Sequence, residues 1–431
     1  MPQSPDNSLL NRIAWRLMPL LVASFLIAFV DRQNVGFAKL TMLAGTGMTE
    51  AAYGLGASLF FIGYLVFEIP SSLALHRFGA RRWIARIMLT WGLANVLLMY
   101  AKNAPTFSAL RFLLGAAEAG FYPGVIVYLG LWFPAAYRTR VLGIFTLGSA
   151  LGNMLGALTG GLLLSLNGVL GLAGWQWVFL GTGLPAMALA AIVFIWLPAL
   201  PAEAGFLTPE EKLALAAELA REAAARPAET GHPLACLSDP RVYGFALLYM
   251  LMSTAQYGVT YWMPTVVKGF GVGPAINGLL TMIPWALAAT ALLLVPSRLK
   301  GDRSVFRAVA SIGVFGTLAF TASILPLPPG WRFLALCLGG PCISLMYPCF
   351  WTFPSRCFSG ARAAAGIAAI NSIGNLGGFL AQNLMPHVQV WTGSVTGPMI
   401  VPAACQAGLA AAALIALLRL RPPVALLAST P

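Results

Sequence analysis

The chain has 431 residues, of which 59% are apolar and only 9% are charged, and its mean hydropathy is +0.80. About a quarter of the residues of an ordinary soluble domain are charged, so this composition excludes both a water-soluble enzyme and a disordered chain. The formal net charge of +13 does not indicate nucleic acid binding, because the basic residues lie in short, separate loops. The composition instead indicates an integral protein of the lipid bilayer.

Apolar runs long enough to cross a bilayer, which takes about 20 residues in a helix, recur along the whole chain. Their unbroken length argues against a transmembrane barrel, whose strands alternate over about ten residues. The sequence therefore predicts an all-α integral membrane fold of twelve helices in two sets of six. The predicted helices cover 17–38, 53–75, 83–101, 106–131, 141–165, 175–197, 242–266, 275–296, 305–325, 331–353, 363–385 and 398–420.

One long hydrophilic stretch, from Pro198 to Arg241, separates the two sets of helices. Within it, residues 208–224 have the pattern of a capped amphipathic helix on the surface. We therefore predict an N-terminal six-helix half over residues 1–197, a linker over 198–241 and a C-terminal six-helix half over 242–431.

Basic residues are concentrated in alternate loops, which predicts the orientation of the chain. One side holds the arginines near both termini, those of the loops after helices 2, 4, 8 and 10, and the linker. The other side holds only Lys39, Lys102, Lys268 and Arg332. By the positive-inside rule, both termini and the linker are expected in the cytoplasm.

Helices 5 and 11 carry an internal repeat. Three of their residues recur at a distance of 222 positions, in the pairs Gly152 and Gly374, Asn153 and Asn375, and Gly156 and Gly378. Two related halves that meet at a binding site are a common construction among transporters. The repeat therefore supports a two-half transporter over a single undivided bundle.

Five charged side chains lie well inside the predicted helices, away from their ends: Asp31, Arg32, Glu68, Arg111 and Glu118. A charge that faced lipid at the centre of a helix would cost about 2.5 to 3.5 kcal/mol, so each should face protein or water. Arg111 and Glu118 are seven residues apart and so share a face of helix 4, with about 10 Å of rise between them. These side chains mark the candidate site.

Glu118 is predicted near the middle of the bilayer, where desolvation favours a neutral carboxyl, which suits a proton carrier beside an anion clamp at Arg111. A purely structural ion pair of Arg111 with Glu118 or with Asp31 is the alternative. Asp31 and Arg32 are adjacent and point about 100° apart, so a structural role for one of them stays open. Glu68 is interpreted as a gate or as a partner of nearby loop arginines.

Neutral polar and aromatic residues complete the candidate site. Ser149 and Asn153 in helix 5, and Asn371 and Asn375 in helix 11, are spaced by one helical turn. Close packing through neighbouring glycines is the alternative explanation of these two strips. The remaining candidates for substrate contact, for which core packing is the alternative, are Tyr64, Tyr122, Gln256, Tyr257, Tyr261 and Trp351.

The cysteines and histidines give no sign of a metal or a catalytic centre. The six cysteines lack paired spacing, and the three histidines are isolated near loops or helix ends. We therefore expect no cofactor, no metal and no enzymatic activity.

Several stretches resemble the major facilitator superfamily, and more narrowly its anion:cation symporter family. They are FVDRQNVGFAKLTM (29–42), residues 60–92, RFLLGAAEAGFYPG within 111–140, GLAGWQWVFL (171–180), LTPEEK (207–212) and GIAAINSIGNLGGF (366–379). The resemblance implies proton-coupled uptake of a small organic anion, such as tartrate or another hydroxy or aromatic carboxylate, by alternating access. We expect a monomer in a bacterial inner membrane.

The same resemblance implies roles for individual residues. Asp31, Arg32, Arg111 and Glu118 correspond to positions tied to proton coupling and carboxylate recognition, and Tyr64, Ser149, Trp351 and Asn371 or Asn375 to substrate contacts. The loop after helix 2, His76-Arg77-Phe78-Gly79, lacks the Asp that usually precedes Arg-x-Gly. A proton-antiporting exporter of drugs or metabolites is the alternative, although such exporters commonly carry Gly-Pro where this chain has Gly152-Asn153.

Overall fold

A computed structural model describes residues 6–224, 238–295, 302–354 and 361–419. Each predicted span lies on a helix or, for the fourth, on two consecutive helices. The main helices are α1 (Asn7–Thr46), α2 (Glu50–Phe78), α3 (Ala80–Leu97), α4 (Ala104–Glu118), α5 (Phe121–Trp132), α6 (Ala135–Leu164), α7 (Gly174–Trp196), α8 (Pro209–Ala224), α9 (Pro240–Lys268), α10 (Pro274–Leu294), α11 (Asp302–Ile324), α12 (Pro329–Trp351), α13 (Ala361–Thr392) and α14 (Ile400–Arg419).

Within the described residues, ten segments are long and apolar enough to cross a membrane. The other two predicted spans are α9, with 29 residues, and α13, with 32 residues. Both are long enough but carry more polar side chains, including Gln256 and Asn375. Their polarity fits their position, because both helices contact the N-terminal half and lie inside the bundle. Cys236, Cys357 and the loop residues Arg298, Lys300 and Arg356 lie outside the described ranges.

The fourth span is broken, so the prediction of one continuous helix over 106–131 is wrong. Ala119 leaves the helical region with ψ of 134°, and Gly120 has φ of +86°, a conformation that favours glycine. A Cβ on Gly120 would also lie 2.4 Å from the hydroxyl of Ser71 on α2. Glu118 is therefore the last residue of α4 rather than the middle of a longer helix.

The predicted surface helix is confirmed as α8. The Thr208 amide donates to Glu211 Oε2 at 2.9 Å, and the Glu211 amide donates to the Thr208 hydroxyl at 3.3 Å, which is a capping box. Glu211 also pairs with Arg12 at the start of α1. The linker helix is thus held against the N-terminal half.

Further contacts place several loops at one end of the bundle. Glu222 of α8 accepts from the Ala135 amide at 2.8 Å and lies 3.4 Å from Arg138 Nη2. Arg81 lies over the ring of Phe194 near the end of α7. We call this end, which carries the start of α1 and the described loops at Arg81 and Arg138, the basic face, and the other end the opposite face.

The repeated glycines occupy matching places in the two halves. A Cβ on Gly152 of α6 would lie 2.6 Å from the Leu26 carbonyl oxygen of α1. A Cβ on Gly374 of α13 would lie 2.0 Å from the Tyr249 ring of α9. The fifth span therefore packs on the first helix of its half, and the eleventh packs on the seventh in the same way.

The two halves are in close backbone contact near the opposite face. A Cβ on Gly36 would lie 2.9 Å from the Tyr261 carbonyl oxygen, and one on Gly54 would lie 2.4 Å from the Gln382 carbonyl oxygen. A Cβ on Gly161 would lie 2.6 Å from the backbone of α10. These distances leave no room for a side chain or water at the contacts, so the bundle is closed at the opposite face.

Helices α2 and α4 cross at two glycines, and this crossing fixes the position of Glu118. A Cβ on Gly115 would lie 2.0 Å from the Phe60 carbonyl oxygen, and one on Gly63 would lie 2.2 Å from the Phe112 carbonyl oxygen. Backbone atoms cannot move aside as a flexible side chain can.

We expect Gly115→Ala to lower the free energy of unfolding by about 1 to 3 kcal/mol, because the methyl group forces the two helices apart. The same change moves Glu118, one turn away, and should weaken substrate binding. Thermal unfolding of purified protein measures the first effect. Gly143→Ala is the matched control, since a Cβ there meets no atom within 4 Å. Equal melting temperatures for the two variants would contradict the prediction.

Candidate functional site

A buried ion pair lies at the centre of the bundle. Glu118 Oε1 accepts hydrogen bonds from Arg32 Nε at 3.0 Å and from Arg32 Nη2 at 2.6 Å. Glu118 is only 2% exposed. The break after α4 ends the helix at Glu118, whose carboxylate reaches the arginine in the middle of α1. Removing one partner of such a pair leaves an uncompensated buried charge, so Arg32 and Glu118 stabilise each other in this position.

Arg32 also contacts the C-terminal half and several aromatic rings. Its Nη1 donates to the hydroxyl of Tyr257 on α9 at 3.3 Å. Its guanidinium carbon lies 4.9 Å from the ring centroid of Phe29 and 5.9 Å from those of Phe60 and Tyr64. The predicted residues Arg32, Tyr64, Glu118 and Tyr257 are thus brought together between the halves.

Arg111 is buried without an acidic partner in the described part of the chain. It is 1% exposed, and its Nη2 donates to the Ala57 carbonyl oxygen at 3.4 Å. Its guanidinium carbon lies 4.9 Å from the Phe60 ring centroid, and its Nε has no hydrogen-bond partner. Tyr261 is close enough to interact with it electrostatically. A buried cation whose direct contacts are all neutral is costly, and a bound anion would compensate its charge.

The structure shows neither of the two alternative pairs that the sequence left open. Glu118 pairs with Arg32, not with Arg111, and Arg111 does not pair with Asp31. Arg111 lies two turns from Glu118 along α4, towards the opposite face. This separation of about 10 Å is too long for a direct ion pair. The arginine that Glu118 holds therefore comes from another helix.

Asp31 faces the interior of the N-terminal half and does not join the ion pair of Arg32 and Glu118. Its carboxylate accepts from Trp91 Nε1 at 2.9 Å and from Asn95 Nδ2 at 3.1 Å, both on α3. Asn95 also donates to the Thr182 hydroxyl of α7 at 2.8 Å. As expected for adjacent residues, Asp31 and Arg32 point to different neighbours. Asp31 thus belongs to a buried network of polar side chains that the sequence analysis did not identify.

Gln33 forms a second link between the halves, although it was not among the predicted residues. It is fully buried, and its Nε2 lies 3.2 Å from Asn153 Oδ1. With the amide oxygen and nitrogen exchanged, it donates to the Thr260 carbonyl oxygen at 3.1 Å and accepts from Trp285 Nε1 at 3.0 Å. The run of four polar residues at 31–34 in an apolar helix was the available signal.

Glu68 connects the halves in the part of α2 nearer the basic face. Its Oε2 accepts from the hydroxyl of Ser372 on α13 at 2.9 Å. No ion pair joins Glu68 to an arginine of the described residues, but Arg356 lies outside them, so pairing with loop arginines stays a prediction. A contact between α2 and α13 is in keeping with the other prediction, that of a gate.

Two candidates for substrate contact, Tyr122 and Ser149, have neighbours within the N-terminal half. The Tyr122 ring lies 5.6 Å from that of Phe25 and 6.0 Å from that of Phe145. The Ser149 hydroxyl donates to the Thr146 carbonyl oxygen of its own helix at 2.7 Å. Core packing was the alternative considered for Tyr122, whereas the helix-internal bond of Ser149 was not predicted.

The C-terminal candidates lie on α9, α12 and α13, and of these only Tyr257 is hydrogen-bonded to the central pair in the described residues. Gln256 Nε2 donates to the Thr260 hydroxyl at 3.4 Å, and the rings of Tyr257 and Tyr261 stack at 5.9 Å. The Trp351 ring packs 5.2 Å from the ring of Tyr249. The two asparagines of the repeat, Asn371 and Asn375, are half buried on α13.

An all-helical bundle of two related halves around a buried ion pair is typical of a secondary transporter. The family model of the Major Facilitator Superfamily matches residues 21–382. The chain therefore belongs to the Major Facilitator Superfamily.

Its relatives are described as transporters. The chain is 39% identical to a "Quinolone resistance transporter" of Acinetobacter baumannii, over 90% of both chains. It is also 39% identical to a "Putative tartrate transporter" of Agrobacterium vitis, over 91% of this chain and 87% of the relative. Among solved structures, the D-xylose-proton symporter superposes with a TM-score of 0.71 at 16% identity, over 95% of this chain and 98% of the other. The last comparison confirms the fold.

Proposed function

We propose that this protein takes up a small organic anion together with protons, and that the anion is a hydroxy or aromatic carboxylate such as tartrate. The observation that carries the proposal is the asymmetry of the buried charges. Glu118 holds Arg32 in an ion pair at 2.6 Å, while Arg111 has only neutral partners in the described residues. Arg32 is thus paired with a carboxyl group that can bind a proton, whereas the charge of Arg111 would be compensated by a bound anion.

Arg111 is suited to binding a carboxylate. A guanidinium offers two parallel donors to the two oxygens of a carboxylate, and its Nε is a free donor here. The surrounding Phe60 ring and buried backbone exclude water, so an anion there interacts with little screening. Relatives described as tartrate transporters support a carboxylate as the substrate.

Glu118 is suited to coupling the anion to a proton. When ionised, it neutralises Arg32 and adds negative charge to the site, so it opposes anion binding. When protonated, it releases Arg32 and leaves a positively charged centre. Proton binding and anion binding therefore favour each other, and this coupling is reciprocal. Asp31 is a second proposed proton site, and its contacts with α3 and α7 would transmit protonation to the packing of the N-terminal half.

The proposed transport cycle starts from the observation that the opposite face is closed. We propose that the basic face is cytoplasmic, as the loop charges predict, so the described conformation is closed to the outside. Opening of the opposite face would give an anion access to Arg111 first and to Arg32 next. Rocking of the halves would then release proton and anion at the basic face.

Proton-driven export is the second candidate function, because one relative is described as a quinolone resistance transporter. The same arginines would then bind an anionic compound from the cytoplasmic side, while protons move inwards. The two candidates share a binding site and differ in the relative direction of proton and substrate.

A thermal-shift screen tests the substrate class. We expect tartrate or another small carboxylate to raise the melting temperature of the purified protein, and to do so more at acidic than at alkaline pH. An uncharged polyol of similar size is the control. A shift with the polyol but with none of a broad panel of mono- and dicarboxylates would overturn the proposed substrate class.

A further inference from the structure

Lys39, near the end of α1 at the opposite face, is a buried cation with one partner in each half. It is 5% exposed, and its Nζ lies 3.0 Å from Glu50 Oε2 at the start of α2. The same Nζ lies 3.4 Å from the ring centroid of Trp262 on α9. The ion pair therefore stays within the N-terminal half, whereas the contact with Trp262 crosses between the halves.

We propose that the contact of the Lys39 ammonium with the Trp262 ring is the latch that holds the opposite face closed. A cation over a tryptophan face is attracted more strongly when both are removed from water, as they are here. Because Glu50 moves with Lys39, the cation keeps its acid when the face opens. Opening of the face then breaks the contact of Lys39 with Trp262 but leaves the ion pair of Lys39 with Glu50 intact.

The tryptophan is held in place for this role. Its Nε1 donates to the Val395 carbonyl oxygen at 3.3 Å, which fixes the ring on the C-terminal half. Nearby, Lys268 Nζ donates to the Leu40 carbonyl oxygen at 2.9 Å, and Gly36 packs against the backbone of Tyr261. The latch thus lies where α1 and α9 pack directly against each other.

The inference rests on the alternating access of the proposed function, but its test needs no substrate. Spin labels at Lys102→Cys and Gly330→Cys, two exposed sites at the opposite face in different halves, report whether that face is open. The native cysteines are replaced in this background. Electron spin resonance then measures the distribution of distances between the labels in the reconstituted full-length protein. A failed transport assay would leave this result intact.

Two pairs of variants isolate the contact across the halves. Trp262→Leu and Trp262→Phe both remove the indole hydrogen bond, but only Phe keeps an aromatic face. We expect Leu to increase the ratio of long to short distances about tenfold and Phe to change it much less. Similarly, the double variant Lys39→Met with Glu50→Gln should open the face, while Glu50→Gln alone should leave it mostly closed.

The same set of variants can overturn the proposal. Identical distance distributions for Trp262→Leu and Trp262→Phe would show that the aromatic face does not hold the halves together. A shift in Glu50→Gln as large as that in the double variant would assign closure to the ion pair instead. Size-exclusion profiles and melting temperatures identify any variant that fails to fold, in which case the other pair decides.

Discussion

Glu118→Gln is expected to abolish accumulation of substrate driven by a pH gradient, while exchange of substrate across the membrane continues. Glutamine has the shape of a protonated glutamate, so Arg32 stays free to bind an anion but no proton is released or taken up. Buried carboxylates inside membranes commonly act as such proton carriers. Proteoliposomes loaded with unlabelled substrate measure exchange, and empty ones with an imposed gradient measure accumulation.

The pH dependence of binding gives a second result for the same variant. In the proposed mechanism the carboxylate form of Glu118 occupies Arg32, so the affinity of the wild type for the anion should weaken as pH rises. In Glu118→Gln the affinity should change little over the same range. Asp239→Asn is the matched control, since Asp239 pairs with Arg241 at an exposed position outside the site. Gradient-driven accumulation by Glu118→Gln would remove this residue from the coupling mechanism.

Arg111→Lys is expected to weaken substrate binding by about 1.5 to 3 kcal/mol, which is about a tenfold to hundredfold loss of affinity. An ammonium is a point charge and cannot present the planar pair of donors that matches a carboxylate. Stability should change less, because no carboxylate of the described residues forms a direct ion pair with Arg111. Isothermal titration or the thermal-shift response to ligand measures the affinity.

Arg32→Lys is the comparison that ranks the two arginines. Lysine keeps a positive charge beside Glu118, so the protein should fold, but it loses the two hydrogen bonds to Oε1 and the one to Tyr257. We expect its main effect on the pH dependence of binding. Unchanged affinity in well-folded Arg111→Lys, with a large loss in Arg32→Lys, would move the carboxylate clamp to α1.

The arrangement of helices could be predicted from the sequence because it depends on local properties. Apolar length identified the spans, and the Thr208 and Glu211 pattern identified α8. The break at Ala119 and Gly120 was missed because both residues are compatible with a helix in a hydrophobic run. The glycine's close contact with Ser71 of α2, which no local pattern reports, is part of what requires the break.

The sequence predicted which charged residues belong to the candidate site, but not which of them form ion pairs. Charges inside apolar helices stand out in a sequence, so Arg32, Arg111 and Glu118 were found. Which arginine pairs with Glu118 depends on how α1 crosses α4. The shared helix face of Arg111 and Glu118 therefore did not predict the observed pair. The partners of Lys39 were missed for the same reason, since its acid and its aromatic ring come from two other helices.

The direction of proton movement tests the central claim most directly. Purified protein is reconstituted in vesicles that contain a pH-sensitive dye, with no imposed gradient and with the membrane potential clamped, and tartrate or the best ligand of the screen is added outside. Symport predicts that the lumen becomes more acidic as the anion enters, and that Glu118→Gln vesicles show no such change. Alkalinisation of the lumen on substrate influx would indicate antiport, and substrate influx without any pH change would contradict proton coupling altogether.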